Sequence, residues 1–127
     1  FCETNDTNCQ TGNQLTSGPL FSACDSATYQ GYTDWRVPSN IELRGLLMCS
    51  NRYNTVESGG QCSNGDGDFS RPTIDVGSFS GFPSTYVMTS TPAASSANAY
   101  YIDFTAGATS VGSKIVGQAV LCVRDLP

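Results

Sequence analysis

Six cysteines constrain this chain more than any other feature of its sequence, and they are Cys2, Cys9, Cys24, Cys49, Cys62 and Cys122. Their number is even, the chain has no histidine, and no two of them form a Cys-x-x-Cys pair. This pattern favours disulfide bonds over a zinc site, because structural zinc sites are built from closely spaced cysteines and histidines. Disulfides persist in oxidising compartments, so the sequence predicts a protein of the cell surface, the periplasm or the secreted medium.

The pairing of the cysteines is only partly indicated by their positions. Two pairs are close in sequence and would each close a polar loop, namely Cys2–Cys9 and Cys49–Cys62. Cys24 and Cys122 would then join an early helix to the last strand. Six cysteines allow 15 connectivities, and a free reactive thiol is an alternative, so the residues alone leave the pairing open.

The length of 127 residues predicts a single domain with one hydrophobic core. We interpret residues 1–17 as a polar, disulfide-tied loop and residues 18–127 as the core of that domain. Charged residues make up only 13% of the chain, which suits a loop-rich extracellular domain better than a cytosolic enzyme. No apolar run approaches the roughly 18 residues that a membrane span needs, so no membrane span is expected.

The net charge of −5 is distributed unevenly along the chain. Residues 36–56 contain three arginines and one glutamate, whereas residues 1–35 and 57–75 are acidic. The sequence has no basic stripe of the kind that binds nucleic acid, so nucleic acid is not an expected partner. A local cationic spot on an acidic domain is the charge feature that a ligand could use.

Two helices are predicted in the first half of the chain. Pro19 opens a series of apolar residues near helical spacing that extends to residue 29. Ser39 and Glu42 form a capping-box pattern that starts a second helix, which we expect over residues 40–49. The apolar face of this helix is expected to contain Ile41, Leu43, Leu46 and Leu47, with Asn40 and Arg44 turned outward.

The second half of the chain predicts strands, which follow a loop over residues 50–78. β-branched and aromatic residues between turn formers mark three segments, namely 84–92, 98–107 and 114–124. The last of these is predicted as one or two strands, with Gly117 as a bulge or turn. Two helices followed by an antiparallel sheet indicate an α+β domain with long loops.

The only tryptophan, Trp35, lies between Asp34 and Arg36, directly before the capped helix. This triplet could form a sugar-stacking platform, but its position between a turn and a helix cap favours a structural role. In that role Trp35 would be buried against the two helices. Arg36 and Arg124 both lie in apolar segments, which suggests structural ion pairs for both.

Metal binding and catalysis have weak support in the sequence. Asn64, Asp66 and Asp68 alternate oxygen side chains as some calcium loops do, but the glycine and the closing glutamate of an EF-hand are missing. We therefore expect an acidic surface turn there, and neither a metal nor a cofactor. The chain has no histidine to activate a nucleophile, and nothing singles out a carboxylate pair such as Asp75 and Asp103. The sequence predicts a protein that is not an enzyme.

The remaining cations are the most useful candidates for a binding site, and they are Arg44, Arg52, Arg71 and Lys114. Within one copy of the chain, solubility explains such a scattered set equally well. Three copies around a symmetry axis would multiply these groups and bring them near each other, which matters for a polyanionic ligand.

An ordered series of motifs runs from the tryptophan to the end of the chain. The segments are GYTDWRVP at 31–38, IELRGLL at 41–47, PTID at 72–75, FP at 82–83, YVMTST at 86–91, AYYIDF at 99–104 and LCVR at 121–124. As an ordered set over about residues 18–125, they resemble the bacterial domain at the C-terminus of the Legionella collagen-like adhesin. The sequence departs from the usual Tyr-Trp-Ser-Ser-Thr of that family, since Val87, Met88 and Thr89 replace its centre.

The resemblance implies a C-type-lectin-like arrangement in which Cys24 pairs with Cys122. It also implies the head of a surface adhesin whose collagen-like stalk trimerises, with sulfated glycosaminoglycans of the heparin and chondroitin sulfate type as ligands. The four remaining cations would then provide the anion contacts of a homotrimer. The alternative is a protein-binding or structural module that displays loops on a bacterial surface, which the aromatic residues of the loop-rich region 50–98 support.

Overall fold

The computed structural model describes residues 18–49, 52–53, 62, 72–83, 85–94 and 97–126. Within these residues the chain forms two short helices, a two-stranded ribbon and a three-stranded antiparallel sheet, which is an α+β architecture. None of the described helices is long and apolar enough to cross a membrane. Several sequence predictions concern residues outside the described ones, namely the loop 1–17 with Cys2 and Cys9, and Asn64, Asp66, Asp68 and Arg71.

Helix α1 spans Pro19–Asp25 and is shorter than the predicted segment, which extends to residue 29. Pro19 occupies the first turn, where its missing N–H costs nothing because that group would be unpaired anyway. After the helix the chain passes through a short 3-10 turn at Tyr29–Gly31. Gln30 and Gly31 have positive φ angles there, of 54° and 81°, which no right-handed helix contains.

Helix α2 spans Asn40–Arg44, and its N-terminus has the predicted capping box. The Glu42 backbone N–H donates to the Ser39 hydroxyl at 3.3 Å, while the Ser39 backbone N–H donates to the Glu42 carboxylate at 2.8 Å. These bonds satisfy donors that the start of a helix leaves unpaired. The predicted helix over 40–49 ends early because Met48–Cys49 form a strand.

The predicted orientation of helix α2 is right for Leu43, Leu46 and Leu47, which belong to a core cluster or pack against it, and wrong for Ile41, Asn40 and Arg44. Ile41, expected in the apolar face, is 70% exposed, whereas Arg44, expected outside, is only 9% exposed. The buried positions are Asn40, Leu43, Arg44 and Leu47, which follow the spacing of one helical face. Leu43 and Leu47 belong to a core cluster of the main sheet, and their contacts fix the rotation of the helix. Asn40 and Arg44 lie on the same face and are therefore buried, although both are polar.

The strands are β1 (Met48–Cys49), β2 (Arg52–Tyr53), β3 (Tyr86–Pro92), β4 (Asn98–Asp103) and β5 (Ala108–Ser113). Strands β1 and β2 pair in a short antiparallel ribbon, and β3, β4 and β5 form the main antiparallel sheet in that order. Strands β3 and β4 lie within the predicted segments 84–92 and 98–107.

The third predicted strand, over residues 114–124, is wrong in position. The strand that completes the main sheet is β5, whose sequence ATSVGS has few residues with a strong strand preference. The last segment is nevertheless extended in part, because Ala119 bridges to Val87 of β3 and Val123 bridges to Arg36. It therefore lies beside the main sheet and connects it to the segment before α2.

Apolar side chains cover both faces of the main sheet. Val87 and Met88 are neighbours in β3 but belong to different core clusters, because successive side chains of a strand point to opposite faces. The Met88 cluster contains residues of α1 and the Cys24–Cys122 disulfide, and the Val87 cluster contains residues of α2 together with Phe104. The sheet is thus the middle layer between the two helices.

Two disulfides join described residues, Cys24–Cys122 and Cys49–Cys62, and both are pairs that the sequence analysis expected. The first links α1 to the last extended segment across 98 residues of sequence. The second links β1 across 13 residues to Cys62, whose backbone N–H donates to the Gly107 carbonyl at 3.2 Å. The first bond therefore ties α1 to the last extended segment, and the second ties β1 to a residue that contacts the turn between β4 and β5.

Candidate functional site

A small apolar pocket lies beyond the end of α1, where the chain turns toward the tryptophan. Its lining residues are Ala27, Tyr29, Trp35 and Cys122, and its volume is about 280 Å³. The exposed lining is almost entirely apolar. Ligand pockets in proteins range upward from about 300 Å³, so this one has room for a single ring or a single side chain.

The turn at residues 29–32 holds Tyr29 at the surface beside this pocket. Its two central residues, Gln30 and Gly31, have positive φ angles, and the Tyr32 N–H donates to the Tyr29 carbonyl at 3.1 Å. A positive φ is unfavourable for glutamine though not for glycine, and backbone strain of this kind is concentrated at functional sites. The Tyr29 side chain is 66% exposed.

Trp35 provides the second aromatic ring of the pocket. Its Nε1–H donates to the Tyr32 carbonyl at 3.1 Å, and its ring meets the Tyr29 ring edge to face, with the centroids 6.2 Å apart. Trp35 is half-buried and lies outside both core clusters. Trp35 is therefore less buried than expected and belongs to neither core cluster, whereas the sequence predicted burial against the two helices.

Asp34 and Arg124 form an ion pair beside Trp35. The Nε and Nη2 groups of Arg124 donate to the two carboxylate oxygens of Asp34 at 3.0 and 3.1 Å. The guanidinium also lies 3.7 Å from the centroid of the Tyr32 ring, in a cation–π contact. The Arg124 hydrogen bonds lower the pKa of Asp34 below its usual value, and the same contacts raise the pKa of Arg124. Arg124 therefore fixes the turn and the last segment against each other.

Arg36 connects three parts of the chain. Its Nη1 and Nη2 groups donate to the Glu42 carboxylate at 2.9 and 2.6 Å, and Nη2 also donates to Asp125 at 2.5 Å. Its backbone exchanges two hydrogen bonds with Val123, of 2.8 and 2.9 Å. The bonds from Arg36, together with the Ser39 backbone N–H, lower the pKa of Glu42 to about 2. Both arginines for which the sequence predicts structural ion pairs thus make such pairs.

The four cations predicted as anion contacts lie in different environments. Lys114 has no exposed surface and Arg44 is only 9% exposed, and both make contacts within the protein. Burial lowers the pKa of Lys114, because desolvation disfavours its ammonium form. Arg52 lies in β2 in backbone register with Cys49, and Arg71 lies outside the described residues. Arg44 and Lys114 are therefore not placed to meet a ligand at the surface.

The carboxylates Asp75 and Asp103 each organise a local turn. Asp75 accepts hydrogen bonds from the Gly77 N–H at 3.0 Å and from the Ser78 hydroxyl at 2.7 Å, and these bonds lower its pKa. Asp103 accepts from both the N–H and the hydroxyl of Thr105. No group of three or more metal-ligating side chains occurs in the part of the chain that the structure describes. The contacts of both carboxylates are those of turn formation.

Tyr29 was not predicted from the sequence as a member of a site. Tyr29, Tyr32 and Trp35 occur three residues apart around Gly31, and this spacing is the signal that could have indicated an aromatic surface. The signal is weak alone, because such residues meet only where the chain reverses. The reversal depends on the positive φ of Gln30, which no sequence rule assigns to a glutamine.

Comparison with known proteins places the chain in a family. The family model of the Lcl C-terminal domain matches residues 3–124, which is nearly the whole chain. No curated protein and no solved structure matches the chain, so the C-type-lectin-like arrangement stays a prediction. The matched range includes the pocket, both ion-paired arginines and both described disulfides. On this match, the chain belongs to the family of the Lcl C-terminal domain.

Proposed function

We propose that this domain is the head of a bacterial surface adhesin that binds sulfated glycosaminoglycans as a homotrimer. Family membership carries the proposal, since it indicates an adhesin-type surface domain. The two disulfides among the described residues are consistent with an extracellular location. Heparin and chondroitin sulfate represent the ligand class, and three sites on one polymer would provide strength that a single weak site lacks.

Binding of a sulfated chain would depend on local charge, because the net charge of −5 opposes it. At physiological ionic strength the Debye length is about 8 Å, so neighbouring groups matter more than the net charge. Arg36 and Arg124 are already paired with carboxylates, and the other two cations with described side chains are buried. Arg52 and Arg71 are therefore the best candidates for contacts with sulfate groups.

Arg52 lies within the loop that the Cys49–Cys62 disulfide closes, and its backbone pairs with Cys49 in the β1–β2 ribbon. A cross-linked loop loses less conformational entropy when a ligand binds, which favours binding. An arginine also offers a planar fork of N–H donors that matches sulfate oxygens as it matches phosphate. Three such loops in a trimer would give a long polymer several simultaneous contacts.

The proposal is tested by heparin affinity chromatography with a salt gradient, together with native mass measurement. We expect a trimer that is retained at low salt and released as screening increases. Arg52→Gln and Arg71→Gln should each lower the salt concentration of elution. Ala94→Asp is the matched control, because it changes the net charge by the same amount at an exposed bend.

The control separates a binding site from a general charge effect. Equal losses in all three variants would mean that heparin responds to net charge alone. A monomeric mass would remove the trimer from the proposal. If the wild-type protein ignores both heparin and chondroitin sulfate at low salt, the polyanion proposal fails and the protein-binding, loop-display alternative replaces it.

A further inference from the structure

We propose that the pocket formed by Ala27, Tyr29, Trp35 and Cys122 binds an uncharged pyranose ring, at a site separate from any contact with sulfated chains. The pocket has a volume of about 280 Å³ and an almost wholly apolar lining that includes two aromatic rings. One face of a pyranose presents C–H groups that pack on an aromatic surface, while its hydroxyls point outward around the ring. An apolar pocket of this size can hold the C–H face of the ring and leave the hydroxyls in solvent.

The arrangement of the two rings excludes a ligand that is stacked between them. Tyr29 and Trp35 meet at an interplanar angle of 62° with centroids 6.2 Å apart, so they form a corner and leave no space for a ring between them. Tyr29 is 66% exposed, which leaves its ring available to solvent and to a ligand. The Trp35 N–H is already bonded to the Tyr32 carbonyl, so this indole offers a ligand its apolar surface and not its donor.

The site is held in place before any ligand binds. Cys122 is joined to Cys24, whose side chain is fully buried in the core cluster of α1. Arg124 packs on the Tyr32 ring and pairs with Asp34, which precedes Trp35 in sequence. A site whose side chains are already ordered loses little entropy on binding, so even a small contact area can give measurable affinity.

The lining of the pocket favours an uncharged ring over a sulfated or carboxylated one, because none of its four residues carries a charge. The nearby cations Arg36 and Arg124 are both occupied by carboxylates. An anionic sugar would therefore place its charge against apolar groups with no charged partner in the lining, which is unfavourable.

The small size of the pocket argues against a protein as its occupant. A stable protein interface buries about 800 Å² on each partner, and four residues around one shallow pocket provide far less. A peptide with a single aromatic anchor is the competing ligand, and the experiment includes it for that reason.

Trp35 is the only tryptophan in the chain, so its fluorescence reports directly on this pocket. The probes are the methyl glycosides of glucose, galactose, mannose and N-acetylglucosamine, titrated to about 100 mM at low and at high salt. A basic peptide with one phenylalanine as its aromatic anchor and a sulfated glucose are titrated in the same way as competing ligands. We expect at least one glycoside to produce a saturable change with a dissociation constant in the millimolar range. The same constant is expected at both salt concentrations, because the ligand is uncharged.

Tyr29→Ala should weaken this binding at least fivefold, since it removes one ring of the corner. Tyr86→Ala is the matched control and should leave binding unchanged, because it removes a tyrosine that is 43% exposed on the main sheet. The proposal is overturned if no neutral glycoside gives a saturable response, or if the response survives Tyr29→Ala. It is also overturned if only a basic peptide with an aromatic anchor, or only a sulfated sugar, produces the change.

Discussion

Arg36 and Glu42 form a two-point ion pair across the start of α2, with Nη1–Oε2 and Nη2–Oε1 distances of 2.9 and 2.6 Å. The same Glu42 carboxylate accepts from the backbone N–H and from the hydroxyl of Ser39. The Glu42 carboxylate thus caps the helix and also binds Arg36. The second partner of Arg36 is Asp125, in the last segment of the chain. The Asp-Trp-Arg-x-Pro segment is therefore coupled to the helix that follows it.

Removal of the Arg36 guanidinium should lower stability moderately. The side chains of Arg36 and Glu42 are 40% and 41% exposed, and ion pairs with this exposure contribute about 1 kcal/mol or less because water screens them. We expect Arg36→Ala to lower the free energy of unfolding by about 1 kcal/mol in urea denaturation. Asp125→Asn removes only one of the two partners and should have a smaller effect. A loss of several kcal/mol would show that the arginine supports more of the fold than these two ion pairs.

The stability of the domain should fall in acid partly because of Glu42. Its pKa in the folded protein is about 2, against 4.5 as the ordinary value, so the folded state binds this proton less readily than the unfolded chain does. The resulting stabilisation is complete above about pH 4.5 and is lost as the pH falls toward 2. Glu42→Gln should reduce the slope of unfolding free energy against pH in that window. An unchanged slope would assign the acid sensitivity to other carboxylates, such as Asp34, whose pKa is also lowered.

The sequence predicts local features of this fold better than it predicts rotations and partners. The capping box at Ser39 depends only on residues three apart, and the structure has it as predicted. The rotation of α2 depends on which residues reach the sheet, so Ile41 and Arg44 exchanged their expected positions. Strand β5 was missed because its pairing with β4, and not its own residues, determines its conformation.

In the candidate site, too, local features could be predicted from the sequence better than long-range contacts. Asp34 and Arg124 are 90 residues apart in sequence. The apolar segment around Arg124 suggested an ion pair for it but did not indicate Asp34 as its partner. The pocket could not be predicted, because it needs the turn at Gln30 and the Cys24–Cys122 disulfide to bring Tyr29 near Cys122. Burial of Lys114 was equally hidden, since a lysine at a strand end is normally exposed.

Gly107 should be essential for closure of the Cys49–Cys62 disulfide. It has a φ of +67°, and a Cβ at this position would overlap the Cys62 sulfur. We expect Gly107→Ala to cost about 3 kcal/mol or more, because backbone strain and overpacking add. Gly81→Ala is the control, since Gly81 has a φ of +76° but open space around its Cα, and it should cost only about 1–2 kcal/mol. Equal losses, or complete closure of the disulfide in Gly107→Ala by mass measurement, would contradict the steric argument.

The Cys24–Cys122 disulfide should stabilise the domain more than Cys49–Cys62 does. It spans 98 residues against 13, and the entropy of loop closure predicts about 5 kcal/mol for the long loop and about 3 kcal/mol for the short one. Replacement of both cysteines of each pair by alanine, followed by urea denaturation, measures the difference. If removal of Cys49–Cys62 costs more, then packing around Gly107 in the folded state, and not loop entropy, determines the ranking.

Trp35 should contribute less to stability than its size suggests. Replacement of a fully buried aromatic residue by alanine costs about 3–5 kcal/mol. Phe104 is 0% exposed and serves as the reference for such residues. Trp35 is half-buried outside both core clusters, so Trp35→Ala should cost about 1–2 kcal/mol, whereas Phe104→Ala should cost about 3–5 kcal/mol. Thermal denaturation of both variants beside the wild type measures the two losses.

Equal losses would return Trp35 to the core role that the sequence suggested, and would weaken the case for an accessible aromatic pocket. A small loss for Trp35→Ala would show that this ring, although positioned by a backbone hydrogen bond and an aromatic contact, contributes little to the stability of the core.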